Sequence, residues 1–236
     1  LSEATGLVGL FVDKGPVVQL KETNGRTEVL DDPEPGVAWD GPMVVLVNRA
    51  SASASEIFAG AIQDYGRGVI VGQRTYGKGS VQNLYPLDRY ALGPRAGYGQ
   101  LTVTIGKYYR VTGDSTQHRG VTPDIDLPSA IDIKSVGESA QDHALPWDRI
   151  RATRFTGIGS LPPDRLSLLT RNHQSRLQAD PDLKAASAEI AAASRLSEQS
   201  AVSLNLETRK RERLDRDTER LSTENARRAA RDLAPL

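Results

Sequence analysis

The segment Ser51-Ala52-Ser53-Ala54-Ser55-Glu56 places three hydroxyls between an apolar run, Met43 to Val47, and a helical pattern that continues from Ile57 to Tyr65. The run is rich in β-branched residues, the pattern of a buried strand, so the serines fall on a strand-to-helix turn. The first backbone N–H groups of a helix have no partner within it. A serine hydroxyl there can attack a carbonyl carbon while those N–H groups stabilise the oxyanion that develops. The same residues also read as a capping box, Ser53-x-x-Glu56, in which the serine only completes a helix start. From this stretch alone both readings stand. It is not the Gly-x-Ser-x-Gly elbow of hydrolases, because Ser51 and Ser55 occupy the two glycine positions around Ser53.

A base for such a serine follows the next strand. Val69-Ile70-Val71 reads as a second buried strand, and Gly72-Gln73-Arg74-Thr75-Tyr76-Gly77-Lys78-Gly79 comes directly after it. With glycines on both sides of Lys78, this turn can pass close to other backbone. It is one residue short of a phosphate-binding loop, since Gly79 stands where a Mg²⁺-binding hydroxyl belongs. Such a loop also opens a helix, whereas Val81 to Leu87 reads as a strand. A serine at a helix start and a lysine in a glycine-rich turn suit a Ser-Lys dyad instead. The lysine of such a dyad must be neutral to take the serine proton, a state that burial among apolar strands favours.

Val44 to Gln82 closely resembles the carboxyl-terminal processing, or tail-specific, serine proteases. The matching features are Asn-Arg-Ala-Ser-Ala-Ser-Ala-Ser-Glu-Ile-Phe from Asn48, Gln63-Asp64-Tyr65-Gly66-Arg67, and Thr75-Tyr76-Gly77-Lys78-Gly79-Ser80-Val81-Gln82. The resemblance implies a crotonase-like α/β core in which Ser53 is the nucleophile and Lys78 the general base. It further implies that Gln82 orients the lysine and that Ala54 offers one oxyanion N–H. Asp64 matches an aspartate sometimes grouped with the dyad, and its place late in the helix allows a structural role equally well. Gly120-Val121-Thr122-Pro123-Asp124-Ile125 resembles the motif that closes the family's core. His118, just before it, reads as a surface polar residue, because the base already has a candidate.

The resemblance also implies a C-terminal part of a longer periplasmic or cell-envelope enzyme. In the family a strand, a glycine-rich turn and a peptide-binding PDZ domain precede the first helix. The turn supplies the second oxyanion donor, so the chain made alone is expected to be inactive. Its implied partners are protein substrates with apolar or unstructured C-termini, and an adaptor that delivers them. No cofactor is implied. A non-catalytic scaffold of the same fold and a nucleotide-binding module through Gly72 to Gly79 are the alternatives.

Composition excludes several other classes. The 236 residues carry 30 basic and 30 acidic side chains, a balance that argues against nucleic-acid or membrane-surface binding. With no cysteine there are no disulfides or thiolate sites. His118, His143 and His173 show no metal-ligand spacing, and no run approaches the ~18 apolar residues of a membrane span.

These residues need a scaffold, and the rest of the chain reads as one. Leu1 to Phe11 is an apolar-striped helix, and Val17 to Lys21 a strand. Asn24-Gly25 marks a hairpin into Thr27 to Leu30. Asp88 to Gly99 is irregular, and Leu101 to Ile105 alternates as a strand. The core is expected over 1–129, a polar linker over 130–143, and a mostly helical domain over 144–236. Within that domain Leu166 to Leu177 and Asp182 to Leu196 read as helices. Val202, Leu204 and Leu206 alternate like a strand, and the charged stretch from Glu207 reads as a solvated helix.

Overall fold

The computed structural model describes residues 1–236 apart from 91, 92 and 94–96, which take part of the irregular stretch between Asp88 and Gly99 outside the description. The chain divides into two compact units, Leu1–Asp126 with Ile133–Pro162, and Leu127–Asp132 with Pro163–Leu236. The first is mixed α/β. Its elements run α1 (Ser2–Gly9), β1 (Pro16–Glu22), β2 (Thr27–Asp31), β3 (Val44–Val47), α2 (Ala54–Asp64), β4 (Val69–Gly72), β5 (Ser80–Pro86), β6 (Gln100–Tyr109) and β7 (Ile125–Asp126).

Two sheets result. Antiparallel pairing gives the order β2-β1-β6-β5, and parallel pairing gives β3-β4-β7. The Asn24-Gly25 turn opens the first sheet: Gly25 sits at φ 89°, a conformation that favours glycine, and Asn24 Oδ1 accepts the Arg26 N–H at 2.8 Å. Parallel strands cannot be joined by a tight turn, so α2 serves as the crossover between β3 and β4. Where β4 ends, a Cβ on Gly72 would lie 1.8 Å from the Val47 carbonyl oxygen, so only glycine fits.

The core lies under α2. Ile57, Ala59, Ala61 and Ile62 are buried against Val8, Val12, Val17, Val18 and Ile70. Burying an Ile or Val side chain of this kind contributes roughly 1.5–3 kcal/mol. Phe11 meets Phe58 edge-on at 5.8 Å, joining α1 to α2. Just past α2 the buried Arg67 guanidinium donates to the carbonyls of Phe11, Trp39 and Gly41 at 2.7–2.9 Å, which satisfies a charge that apolar packing alone would not tolerate.

Two expectations are corrected. β3 is not buried: it is an edge strand, and Val44 and Leu46 are 61% and 74% exposed while Val47 faces the core. An apolar run reads alike for a central and an edge strand, because side-chain chemistry does not record which faces find neighbours. Residues 133–143 are tied to the first unit: Arg49 donates to the carbonyls of Ile133 at 3.2 Å and Val136, and Gln117 donates to Glu138 at 2.9 Å. Trp147 Nε1 donates to the Ser115 carbonyl at 2.9 Å, Tyr109 Oη donates to Asp148 at 2.9 Å, and the whole stretch to Pro162 packs in the first unit.

The second unit contains α3 (Pro163–Ala179), α4 (Pro181–Ser197) and α5 (Leu206–Ala229). Asp180 caps α4, accepting the N–H groups of Asp182 and Leu183, with Pro181 at the first helical position. The second correction falls here. Val202 and Leu204 form no strand but an open connection into α5, with Leu204 99% exposed. A period of two in an isolated segment has no sheet to join.

Candidate functional site

Ser53 stands at the N-cap of α2, and its backbone is unusual. Its φ of 57° and ψ of −114° lie outside the regions open to a residue with a Cβ. An ordinary capping serine takes extended backbone angles. Ser53 therefore does more than cap: it sits on a sharp, strained strand-to-helix turn, the geometry that a nucleophile elbow imposes without the glycines of that motif. Ala54, the next residue, is the first of the helix and exposed, so its N–H is one of the donors left free by helix geometry.

Lys78 is brought beside this turn. The carboxylate of Glu56 binds both segments: Oε2 accepts the Ser53 N–H and the Lys78 N–H, each at 2.9 Å, so the two nitrogens lie within twice that distance of one another. Oε1 accepts the Thr75 hydroxyl at 2.5 Å and the Gly77 N–H at 2.6 Å. Glu56 is fully buried. Burial pushes its carboxyl above the ordinary carboxylate range, and the four hydrogen bonds oppose that rise. From β6, the buried Tyr108 hydroxyl bonds to the carbonyl oxygens of Ser53, at 3.1 Å, and Lys78. Half-buried Lys78 extends to exposed Gln82, where Nζ donates to Oε1 at 3.5 Å.

The glycines around Lys78 follow from this close approach. Gly77 sits at φ 92°, and a Cβ on it would lie 2.9 Å from the carbonyl carbon of His118. A Cβ on Gly79 would lie 2.8 Å from the Gln117 nitrogen. Gln117 Oε1 accepts the Gly79 N–H at 2.8 Å, and its amide donates to Glu138 at 2.9 Å. The N–H groups of Gly77, Lys78 and Gly79 are thus all engaged within the protein. A phosphate would need those donors, which removes the nucleotide-binding reading.

The backbones of Ser53 and Lys78 are brought together through Glu56, with Ala54 next to Ser53 and Gln82 at the tip of the lysine. Asp64 is not among them. It closes α2 at the opposite end from Ser53, about 15 Å away along the helix axis. There Arg110 grips it with Nε at 2.9 Å and a terminal nitrogen at 2.5 Å. Desolvation raises the Asp64 carboxyl above its usual range, and the Arg110 guanidinium opposes that rise. His118 is not the surface residue expected. It takes a left-handed backbone angle, φ 63°, donates its N–H to the Gly77 carbonyl at 2.9 Å, and its Nε2 is sealed from solvent.

Three contributors were missed: Glu56 beyond its capping role, Tyr108, and Arg49. The buried Arg49 guanidinium donates to the carbonyls of Thr75, Val136 (2.5 Å) and Ile133 (3.2 Å), tying the lysine turn to the segment after β7. One signal could have found Glu56. It shares a helix face with Ala59 and Gly60, so its carboxylate points where the core must be. Among the described residues no group of three His, Asp or Glu side chains could hold a metal ion.

Comparison with known proteins adds an independent line. Residues 1–127 match Peptidase family S41, and residues 131–236 match the C-terminal domain of tail specific protease. The chain is 40% identical over 235 residues to a tail-specific protease of Haemophilus influenzae, covering 96% of this chain and 33% of that protein. It is 37% identical over 138 residues to a carboxy-terminal-processing protease of Bartonella bacilliformis, covering 58% of this chain and 30% of the relative. The solved photosystem II D1 C-terminal processing protease is similar at 31% identity with a TM-score of 0.44, over 56% of this chain and 33% of that one. The chain thus spans about a third of the length of these relatives.

Proposed function

This chain belongs to Peptidase family S41, and on that premise we propose that it carries the Ser-Lys dyad of a serine endopeptidase acting on proteins through their C-terminal tails. The observation that carries the reading is the strained Ser53 turn, φ 57° and ψ −114°, which capping does not require and a non-catalytic scaffold has no reason to keep. Ser53 Oγ is the nucleophile, and Lys78 Nζ takes its proton during attack and returns it to the leaving amine. The Ala54 N–H stabilises the oxyanion. Gln82, four residues beyond Lys78 on β5, accepts from Lys78 Nζ and holds the end of the lysine in place.

The core that presents these groups is crotonase-like in this reading. The helical second unit belongs with the C-terminal domain of tail-specific proteases. Substrates are proteins with apolar or unstructured C-termini, brought directly or by an adaptor, in the periplasm or cell envelope. No described helix is long and apolar enough to cross a membrane.

The test is proteolysis of an unfolded protein with an apolar C-terminus by the whole protein and its variants. Ser53→Ala and Lys78→Ala should each lower kcat by about 10⁴-fold or more while the circular dichroism spectrum is unchanged. Gln82→Ala should be milder, because an orienting group supports the base without replacing it. Near-normal turnover by either of the first two variants would overturn the dyad.

A further inference from the structure

We propose that Glu56 and Tyr108 form a two-sided clasp that positions the dyad, an inference that rests on the assignment of Ser53 and Lys78 above. Residue 53 is held at its N–H by Glu56 Oε2 and at its carbonyl by Tyr108 Oη. Residue 78 is held by the same two atoms, the single phenol proton of Tyr108 being shared between the two carbonyls. Two segments distant in the chain thus share one acceptor at one end of each residue and one hydroxyl at the other. The Cα atoms that root the nucleophile and the base cannot drift apart while both bridges stand.

The clasp does what the lysine side chain cannot do for itself. A four-carbon stem is flexible, and Gln82 restrains only its tip, at 3.5 Å. Proton transfer needs the serine oxygen and lysine nitrogen at about 2.6–3.2 Å, and a misplacement of about 1 Å can lower turnover about 10²-fold. Both clasp residues are sealed from water, Glu56 fully and Tyr108 to 1% exposure, so solvent does not compete for their bonds. Burial and the neighbouring Glu56 charge push the Tyr108 phenol up, well clear of ionisation, which keeps it a donor. Across space Glu56 faces the Arg49 guanidinium on the turn after β3. The carboxylate's direct partners are four neutral donors.

A simple capping role makes a different prediction. Glutamine is as good as glutamate at this position of a capping box, so a cap alone would leave Glu56→Gln unaffected. The clasp would not survive it. Glutamine offers one acceptor oxygen, and its amide nitrogen would oppose two N–H donors. In the whole protein, Glu56→Gln should therefore lower kcat by about 10²-fold with KM nearly unchanged and the circular dichroism spectrum intact. Amide hydrogen exchange at Ser53, Gly77 and Lys78 should accelerate. Tyr108→Phe should act in the same direction by about tenfold, with faster exchange over the same segments.

Wild-type kcat in folded Glu56→Gln overturns the proposal. If that variant fails to fold, Tyr108→Phe decides, and unchanged kcat with unchanged exchange overturns it equally. The exchange measurement needs no activity. Should Ser53→Ala retain proteolysis, the dyad assignment fails while faster exchange in Glu56→Gln still demonstrates the clasp.

Discussion

The two units of the chain are held together by opposite means. In the first, polar groups are buried and their partners are fixed: Arg49, Glu56, Arg67 and Gln117 are all at most 3% exposed, and each bridges segments that no helix or strand connects. In the second, Ala185 is the one buried side chain among the described residues. Its helices are linked through exposed ion pairs, Arg227 to Asp182 at 3.1 Å, Arg231 to Asp182, and Arg195 to Glu219. The contrast separates two uses of charge. A buried polar bridge has one geometry and fixes a site, whereas an exposed ion pair can be rearranged at little cost and fixes nothing finely.

Breaking a bridge in the first unit tests that contrast most severely. Arg49→Ala strands the carbonyls of Thr75, Ile133 and Val136 and should destabilise the fold by about 3 kcal/mol, read as a lower midpoint in urea unfolding. A loss no larger than that of a surface substitution would show that the bridge is dispensable. Asp64→Asn is the next step down. It weakens the grip on Arg110 and should lower stability by about 1–2 kcal/mol, while kcat stays within severalfold of wild type, since Asp64 lies a helix length from Ser53. A folded Asp64→Asn protein as inactive as Ser53→Ala would return Asp64 to the chemistry. Asp182→Asn, in the second unit, removes a carboxylate shared by two arginines, yet the melting temperature should move by only roughly 1–2 °C. Salt at about 1 M should erase even that difference. A larger shift would mean that the exposed network acts as a built structure after all.

What could be read from the sequence divides along the same line. Strand and helix types in the core follow from local pattern: Val69 to Val71, the Asn24-Gly25 hairpin and the helix after Ser53 all stand where periodicity and turn chemistry put them. Ser53, Lys78 and Gln82 stood out as candidates because their types are chemical signals in themselves. Arg49 and Tyr108 were not, because nothing near them in the chain shows that they will be buried or whom they will meet. Val44 and Leu46 failed for the converse reason: their pattern is right for a strand, but the neighbour that would cover them is not encoded in their own segment. Ser53 was ambiguous until its backbone angles separated a strained turn from a plain cap.

The Arg49 bridge also sets a clock. Its acceptors lie 84 and 87 residues further along the chain, at Ile133 and Val136, and Ser139 Oγ lies 90 residues on. Chain synthesis at about 5–20 residues per second puts those partners into the polypeptide roughly 5–20 s after Arg49 itself. During that interval the growing chain already contains the serine and the lysine, but the lysine turn has not yet met the segment that braces Thr75. Long-range closures of this kind form late because the intervening chain must be ordered first. The lysine turn thus waits for its brace until well after its own residues have been made.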